Sequence, residues 1–184
     1  MLLGYIVQEL PIIAVLSIII CCPLIVSDKC LHKKRPVIRY IVVYAFVGCS
    51  LSLLYLTVLW YYPNITFHPK YRFLNLRPFI WISETYEMGF VKMIQQLALN
   101  IGMYVPYGLL LPMVFKKVRK GSKHFFAVFF TTFSIEVLQY FIGRSADIDD
   151  VIMNCAGGVL GYFCFKILNR ICAKWQLWEK AIES

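Results

Sequence analysis

The chain has 184 residues, 60% of them hydrophobic and only 16% charged, with a mean hydropathy of +0.67. Soluble globular domains run near 45–50% apolar and about 25% charged, and so short a chain cannot hide this excess of apolar surface from water. The composition therefore excludes a water-soluble domain and calls for one integral membrane unit. A net charge of +9 would raise nucleic-acid binding in a soluble chain. Here the lysines and arginines sit in short tracts between apolar segments, as topology-setting charges do, so no nucleic-acid partner is expected.

The first predicted span is 10–27, and counted from Leu2 it reaches the roughly 20 residues that a bilayer helix needs. Positive charge follows it (Lys29, Lys33, Lys34, Arg35 and Arg39) and the one earlier charge is Glu9, which predicts an uncleaved anchor with its N-terminus outside. Pro23 is a potential kink. The second span is 39–61, closed by the interfacial cluster Trp60, Tyr61, Tyr62 and Pro63. The connection 62–92 is too long to be only a link, and its aromatic residues (Phe79, Trp81, Tyr86, Phe90) predict packing along the bilayer surface.

The third span, 93–115, carries Gln96, Asn100 and Pro106 and is followed by Lys116, Lys117, Arg119, Lys120 and Lys123. The fourth, 124–142, carries Glu136 and Gln139. A short turn leads to the fifth, 148–169, and the basic, aromatic tail beyond it reads as interfacial. The fold class is thus all-α, a polytopic membrane bundle of about five helices. Residues 1–44 form an N-terminal helix and basic link, 45–165 the membrane core and 166–184 the tail.

Seven cysteines without CxxC pairs, mostly inside apolar segments, behave as small hydrophobes, and the three scattered histidines lack ligand spacing. No metal site or cofactor is predicted. Placing the 28–38 link, the 116–124 link and the tail on one side, with Arg39 and Lys166 assigned to their nearest ends, puts 14 of the 19 lysines and arginines there. The positive-inside rule makes that side cytoplasmic, with the N-terminus out and the C-terminus in.

Depth counting brings the polar groups together. At a rise of about 1.5 Å per residue, Asn100, Glu136, Gln139 and Asn154 all lie roughly 5–11 Å below the outer surface. The stripes Gln96–Asn100–Met103–Tyr107, Thr132–Glu136–Gln139–Gly143 and Asp147–Asp150–Asn154–Gly157/Gly158–Gly161 each follow helical spacing. The glycines make a small-xxx-small pattern that lets two membrane helices approach closely. Together these predict an outward-facing polar pocket walled by the third, fourth and fifth helices, with Asn100, Glu136, Gln139, Arg144, Asp147, Asp150 and Asn154 as its binding residues.

Each residue also has a plainer role open to it. Asp147, Asp149 and Asp150 suit a helix N-terminus, and Asp149 lies about 100° off the stripe, which favours a cap there. Asn100 and Gln139 suit interhelical hydrogen bonding. Glu136 is the costliest residue of the set, because an acidic side chain within a span marks function by default. Arg144, two turns on, is its natural partner; a neutral Glu136 is the alternative.

The strings NLRPF (Asn75–Phe79), NIGMYVPYG (Asn100–Gly108), EVLQ (Glu136–Gln139) and GRSADIDDVIMNCAGGVLG (Gly143–Gly161) together resemble the VanZ-like family, in order and spacing. The resemblance covers about 45–165 and leaves the first span as an addition; Tyr107 departs slightly from the pattern. It implies a bacterial cytoplasmic-membrane protein of a family whose name-giving member is linked to teicoplanin resistance. It also nominates Asn75, Pro78 and Pro106, with Gly157, Gly158 and Gly161, as structural motif residues.

Three functions follow as expectations. The first is a binder that engages a glycopeptide antibiotic, a cell-wall lipid or an envelope protein. The second is an intramembrane enzyme on an envelope lipid or lipid-linked glycan, with Glu136, Asp147 and Asp150 as catalytic candidates. There Glu136 would be general base and the two aspartates would hold a divalent cation. No complete catalytic motif supports this, and Ser134 points about 160° away from Glu136. The third is a small transporter, for which no inverted repeat is found. The sequence leaves the oligomeric state open.

Overall fold

The computed structural model describes residues 2–31, 35–59, 73–82 and 89–182. The expectations placed on Trp60–Pro63, Tyr86, His32 and His68 lie outside these residues. Six α-helices are described: α1 (Leu2–Cys30), α2 (Val37–Thr57), α3 (Phe90–Val114), α4 (Gly121–Phe141), α5 (Ile148–Ile171) and α6 (Gln176–Ile182). Two three-residue strands, β1 (Phe73–Asn75) and β2 (Ser145–Asp147), complete them. Five helices are long and apolar enough to cross a membrane, as the sequence predicts. Their outward faces carry exposed Ile18, Ile19, Phe126, Phe130, Phe163 and Ile167, a surface suited to lipid.

The span boundaries are those expected to within a few residues, with two differences. α1 runs through both Pro11 and Pro23 and is longer than 10–27, while α2 stops at Thr57. α4 ends where Gly143 takes φ +85°, the left-handed conformation that lets the chain leave a helix at no steric cost.

α3 and α5 form the closest helix pair. The glycine stripe explains why: a Cβ on Gly157 would overlap the Ile101 carbonyl, and one on Gly161 the Val105 carbonyl. From the α3 side, a Cβ on Gly108 would overlap the Gly158 carbonyl. The expectation that the stripe faces another helix is met, and that helix is α3. α4 closes over the seam, with Val128 against Gly158 and the buried His124 Nε2 3.1 Å from the Gly158 carbonyl.

Two parts of the chain differ from the sequence reading. β1 pairs in parallel with β2, Asn75 opposite Asp147, so part of the long connection is stitched to the start of α5. The tail also carries structure that the sequence reading lacks: α6 packs on α2 and α3, with Trp178 against Phe165. Two of the arginines counted as topological charges hold it there. Arg39 is only 3% exposed and donates to the carbonyls of Met113 (2.7 Å), Val114 (2.7 Å) and Ala181 (3.2 Å). Arg119 donates to those of Pro112 (2.9 Å) and Ile182 (2.5 Å), and burial lowers its pKa from the usual guanidinium value. The last carbonyls of any helix lack intrahelical partners, and these guanidiniums supply them for α3 and α6.

Candidate ligand-binding cavity

The helices alternate in direction, so the C-terminal ends of α2 and α4 and the N-terminal ends of α3 and α5 share one end of the bundle. A cavity of about 460 Å³ opens there. Gln96, Asn100 and Met103 line it from α3, Glu136 and Gln139 from α4, Arg144 from the following turn, and Asp150 and Asn154 from α5. The convergence predicted by depth and face counting is therefore present among residues from three different helices. Apolar Leu56, Leu99 and Met103 and the ring of Tyr55 fill in the wall, with Lys92 one stretch of α3 further out.

The wall differs from the prediction in that α2 also contributes. Besides Tyr55 and Leu56, it brings the Thr57 carbonyl, an orphaned helix-end acceptor. It receives Gln139 Nε2 at 2.8 Å and Arg144 Nη1. Arg144 thus caps α2, and Glu136 has a different recorded partner: its Oε2 accepts from the Asp147 backbone N–H at 3.0 Å. Both still face the one cavity.

The aspartates divide the work differently from the sequence reading. Asp147 is the N-cap of α5, with Oδ1 accepting from the Asp149 N–H at 2.8 Å and Oδ2 accepting from Asn75 Nδ2 at 3.0 Å. It does not line this cavity but borders the apolar groove beside it. Asp149, expected as a cap, is instead buried and accepts from the N–H groups of Phe79 (2.6 Å) and Ile80 (2.9 Å). Phe79 has φ +65°, a conformation rare outside glycine, so the Asp149 carboxylate holds the turn after Pro78 in a strained shape. Asn75 Oδ1 accepts the Arg77 N–H at 3.0 Å, tightening the same turn. The NLRPF string is thus a structural clasp on the start of α5. Asp150 alone of the three faces the cavity, accepting from Asn100 Nδ2 at 2.5 Å.

Deeper, Asn154 Nδ2 donates to Thr132 Oγ1 at 2.9 Å, and Tyr107 and Thr131 hydroxyls meet at 3.0 Å below it. Asn154 and Gln139 are both 4% exposed, and each keeps a buried carbonyl oxygen (Asn154 Oδ1, Gln139 Oε1) without a hydrogen-bond partner. A native interior rarely leaves such acceptors unmet. Ser134 donates to the Phe130 carbonyl on the exposed face of α4, away from the cavity. Among the described residues no group of three or more His, Cys, Asp or Glu side chains is set to hold a metal ion.

Beside this cavity, Glu136 also borders an apolar groove of about 300 Å³ formed with Leu74, Leu76, Phe133, Val137 and Val151. Nothing in the sequence pattern signals this groove, because one side of it, Leu74 and Leu76, comes from β1 and the residue just after it.

The VanZ/LLP1 family model matches residues 40–169, well over half of the chain, and leaves α1 outside the match. Protein VanZ of Enterococcus faecium is 34% identical over 105 residues, which make up 56% of this chain and 59% of that protein. The chain thus spans about three fifths of that curated relative's length. No solved structure matches. With its five spanning helices, the chain is a multi-pass membrane protein that belongs to the VanZ family.

Proposed function

We propose that the protein acts in the bacterial cytoplasmic membrane and lowers susceptibility to teicoplanin-type glycopeptides by binding a ligand in the polar cavity. The observation that carries this reading is the convergence of Asn100, Glu136, Gln139, Asp150 and Asn154 on one cavity inside an otherwise apolar bundle. Polar side chains at membrane depth are costly to keep unless structure or function requires them. Two of them, Gln139 and Asn154, keep a buried acceptor without a hydrogen-bond partner, which supports a role beyond packing. The lysine and arginine count supports an outward-facing cavity end, on the side where such drugs act. The family membership supports the drug link, through the relative named above.

The test compares cells carrying wild-type protein and Glu136→Ala at equal membrane levels, scoring drug susceptibility and drug retained at the surface. Loss of most of the protection in the variant is expected. Equal protection would remove the cavity from the function.

A second reading rests on Glu136 and Asp150 sharing that cavity, two carboxylates near enough to a bound lipid for general acid–base work. Mass spectrometry of envelope lipids with and without the protein separates it from the first: an altered lipid favours catalysis, unchanged lipids favour binding.

A further inference from the structure

Building on the reading of the cavity as a binding site, we propose that its ligand is a zwitterionic aminophosphate of the phosphoethanolamine type, its primary ammonium held inside and its phosphate toward Lys92. At the inner wall Asn100, Gln139 and Asn154 each donate an amide N–H to a protein acceptor, while two amide carbonyls stay unmet. Gln139 Oε1 and Asn154 Oδ1 have no partner, although both residues are over nine-tenths buried. Asp150 receives Asn100 on one oxygen, and the bond recorded for Glu136 uses Oε2. Two carboxyl groups, Glu136 and Asp150, and one guanidinium, that of Arg144, line the inner part of the cavity, with Lys92 further out, so at that depth carboxyls outnumber cations. A buried charge demands a partner, and a primary ammonium offers three donors and one positive charge. A neutral polyol would satisfy the carbonyls but not the charge.

Lys92 supplies the complementary site. It is exposed and lies eight residues before Asn100, a rise of about 12 Å toward the open end, part of which the lysine stem spans. An anion next to the ammonium would meet it there, while Leu56, Leu99 and Met103 offer apolar surface to an attached chain.

The test uses the full-length protein in detergent micelles, with native mass spectrometry measuring binding of three dioleoyl lipids. These are phosphatidylethanolamine, its N-acetylated form, which loses the ammonium, and phosphatidylglycerol, which keeps only the phosphate. Phosphatidylethanolamine should bind at least about tenfold more tightly than either, the least that one lost buried charge pair gives. Glu136→Gln with Asp150→Asn should erase the preference, and the exposed Lys92→Ala should weaken phosphatidylethanolamine and phosphatidylglycerol alike. Leu99→Trp, which fills the cavity, should abolish binding. Soluble O-phosphoethanolamine as competitor tells whether the headgroup suffices or the lipid is required, and competition or its lack is compatible with the ammonium assignment. Equal binding of all three lipids that Leu99→Trp still abolishes overturns the ammonium and leaves the cavity reading standing. Binding that ignores Leu99→Trp, or no binding at all, overturns both.

Discussion

At the basic end of the bundle, the guanidiniums of Arg39 and Arg119 meet the terminal carbonyls of α3 and α6, and one donor, Arg39 Nε, is left over. At the opposite end, Gln139 and Arg144 cap α2 in the same manner, yet Gln139 Oε1 and Asn154 Oδ1 stay unmet and a cavity remains. The same device, a cationic or amide side chain closing a helix C-terminus, thus appears twice. In one place it finishes the packing and in the other it frames an open space. The open space, rather than the capping device, is what separates a binding end from a structural end, and mutations should act on stability at the basic end and on ligand at the cavity end.

The largest effect is expected for Arg39→Ala. It strands three buried carbonyls, each costing about 1–3 kcal/mol when unmet, and frees α6. Thermal unfolding in detergent should show the loss, and proteolysis should then cut near residues 176–182. Arg39→Lys, with a single point charge in place of the fork, should recover only part of it. An Arg39→Ala protein as stable as wild type would mean that the basic end is not held this way.

Next comes the seam between α3 and α5. Gly161→Ala should cost about 3 kcal/mol, because the added methyl meets α3 backbone and cannot rotate away. Gly102→Ala on the same helix pair is its control: a Cβ there has open space, and alanine is the better helix former by up to about 1 kcal/mol. Comparable losses in both would remove close approach as the reason for the glycines. A smaller loss, about 2 kcal/mol, is expected for Asp149→Ala, which releases two backbone N–H groups of the strained turn at Phe79. Hydrogen exchange should report it locally, with faster exchange at Phe79 and Ile80 and little change in α3.

What could be read from the sequence follows the same division. Helical period and depth bring Asn100, Glu136, Gln139 and Asn154 together and the α5 stripe adds Asp150, since side chains on regular helices point where the count says. The glycine seam was legible for the same reason. The partners of Asp149, Arg39 and Arg119 were not, because each binds backbone groups of a distant segment, and a main-chain carbonyl leaves no residue type to recognise. The Thr57 carbonyl in the cavity wall is hidden for that reason too. β1 and β2 escape because three-residue strands are too short for alternation to register. Asp147 and Asp149 exchanged roles because the cap is decided by which residue takes the extended conformation before α5, a matter of the β1–β2 pairing.

The smallest effect on stability is expected where the effect on function is large. Gln139→Leu loses one hydrogen bond to the Thr57 carbonyl, which Arg144 still serves, and removes the unmet Oε1 acceptor from the interior. Losing a made bond costs about 1 kcal/mol, while removing an unsatisfied buried group returns a similar amount, so the net change should stay within about 1 kcal/mol. The residue lines the cavity, so ligand binding and drug protection should nonetheless fall. Measuring the unfolding temperature beside drug susceptibility in the same variant separates the two ends of the bundle by their physics. If protection survives while stability drops by several kcal/mol, Gln139 is a packing residue and the polar end is as structural as the basic one.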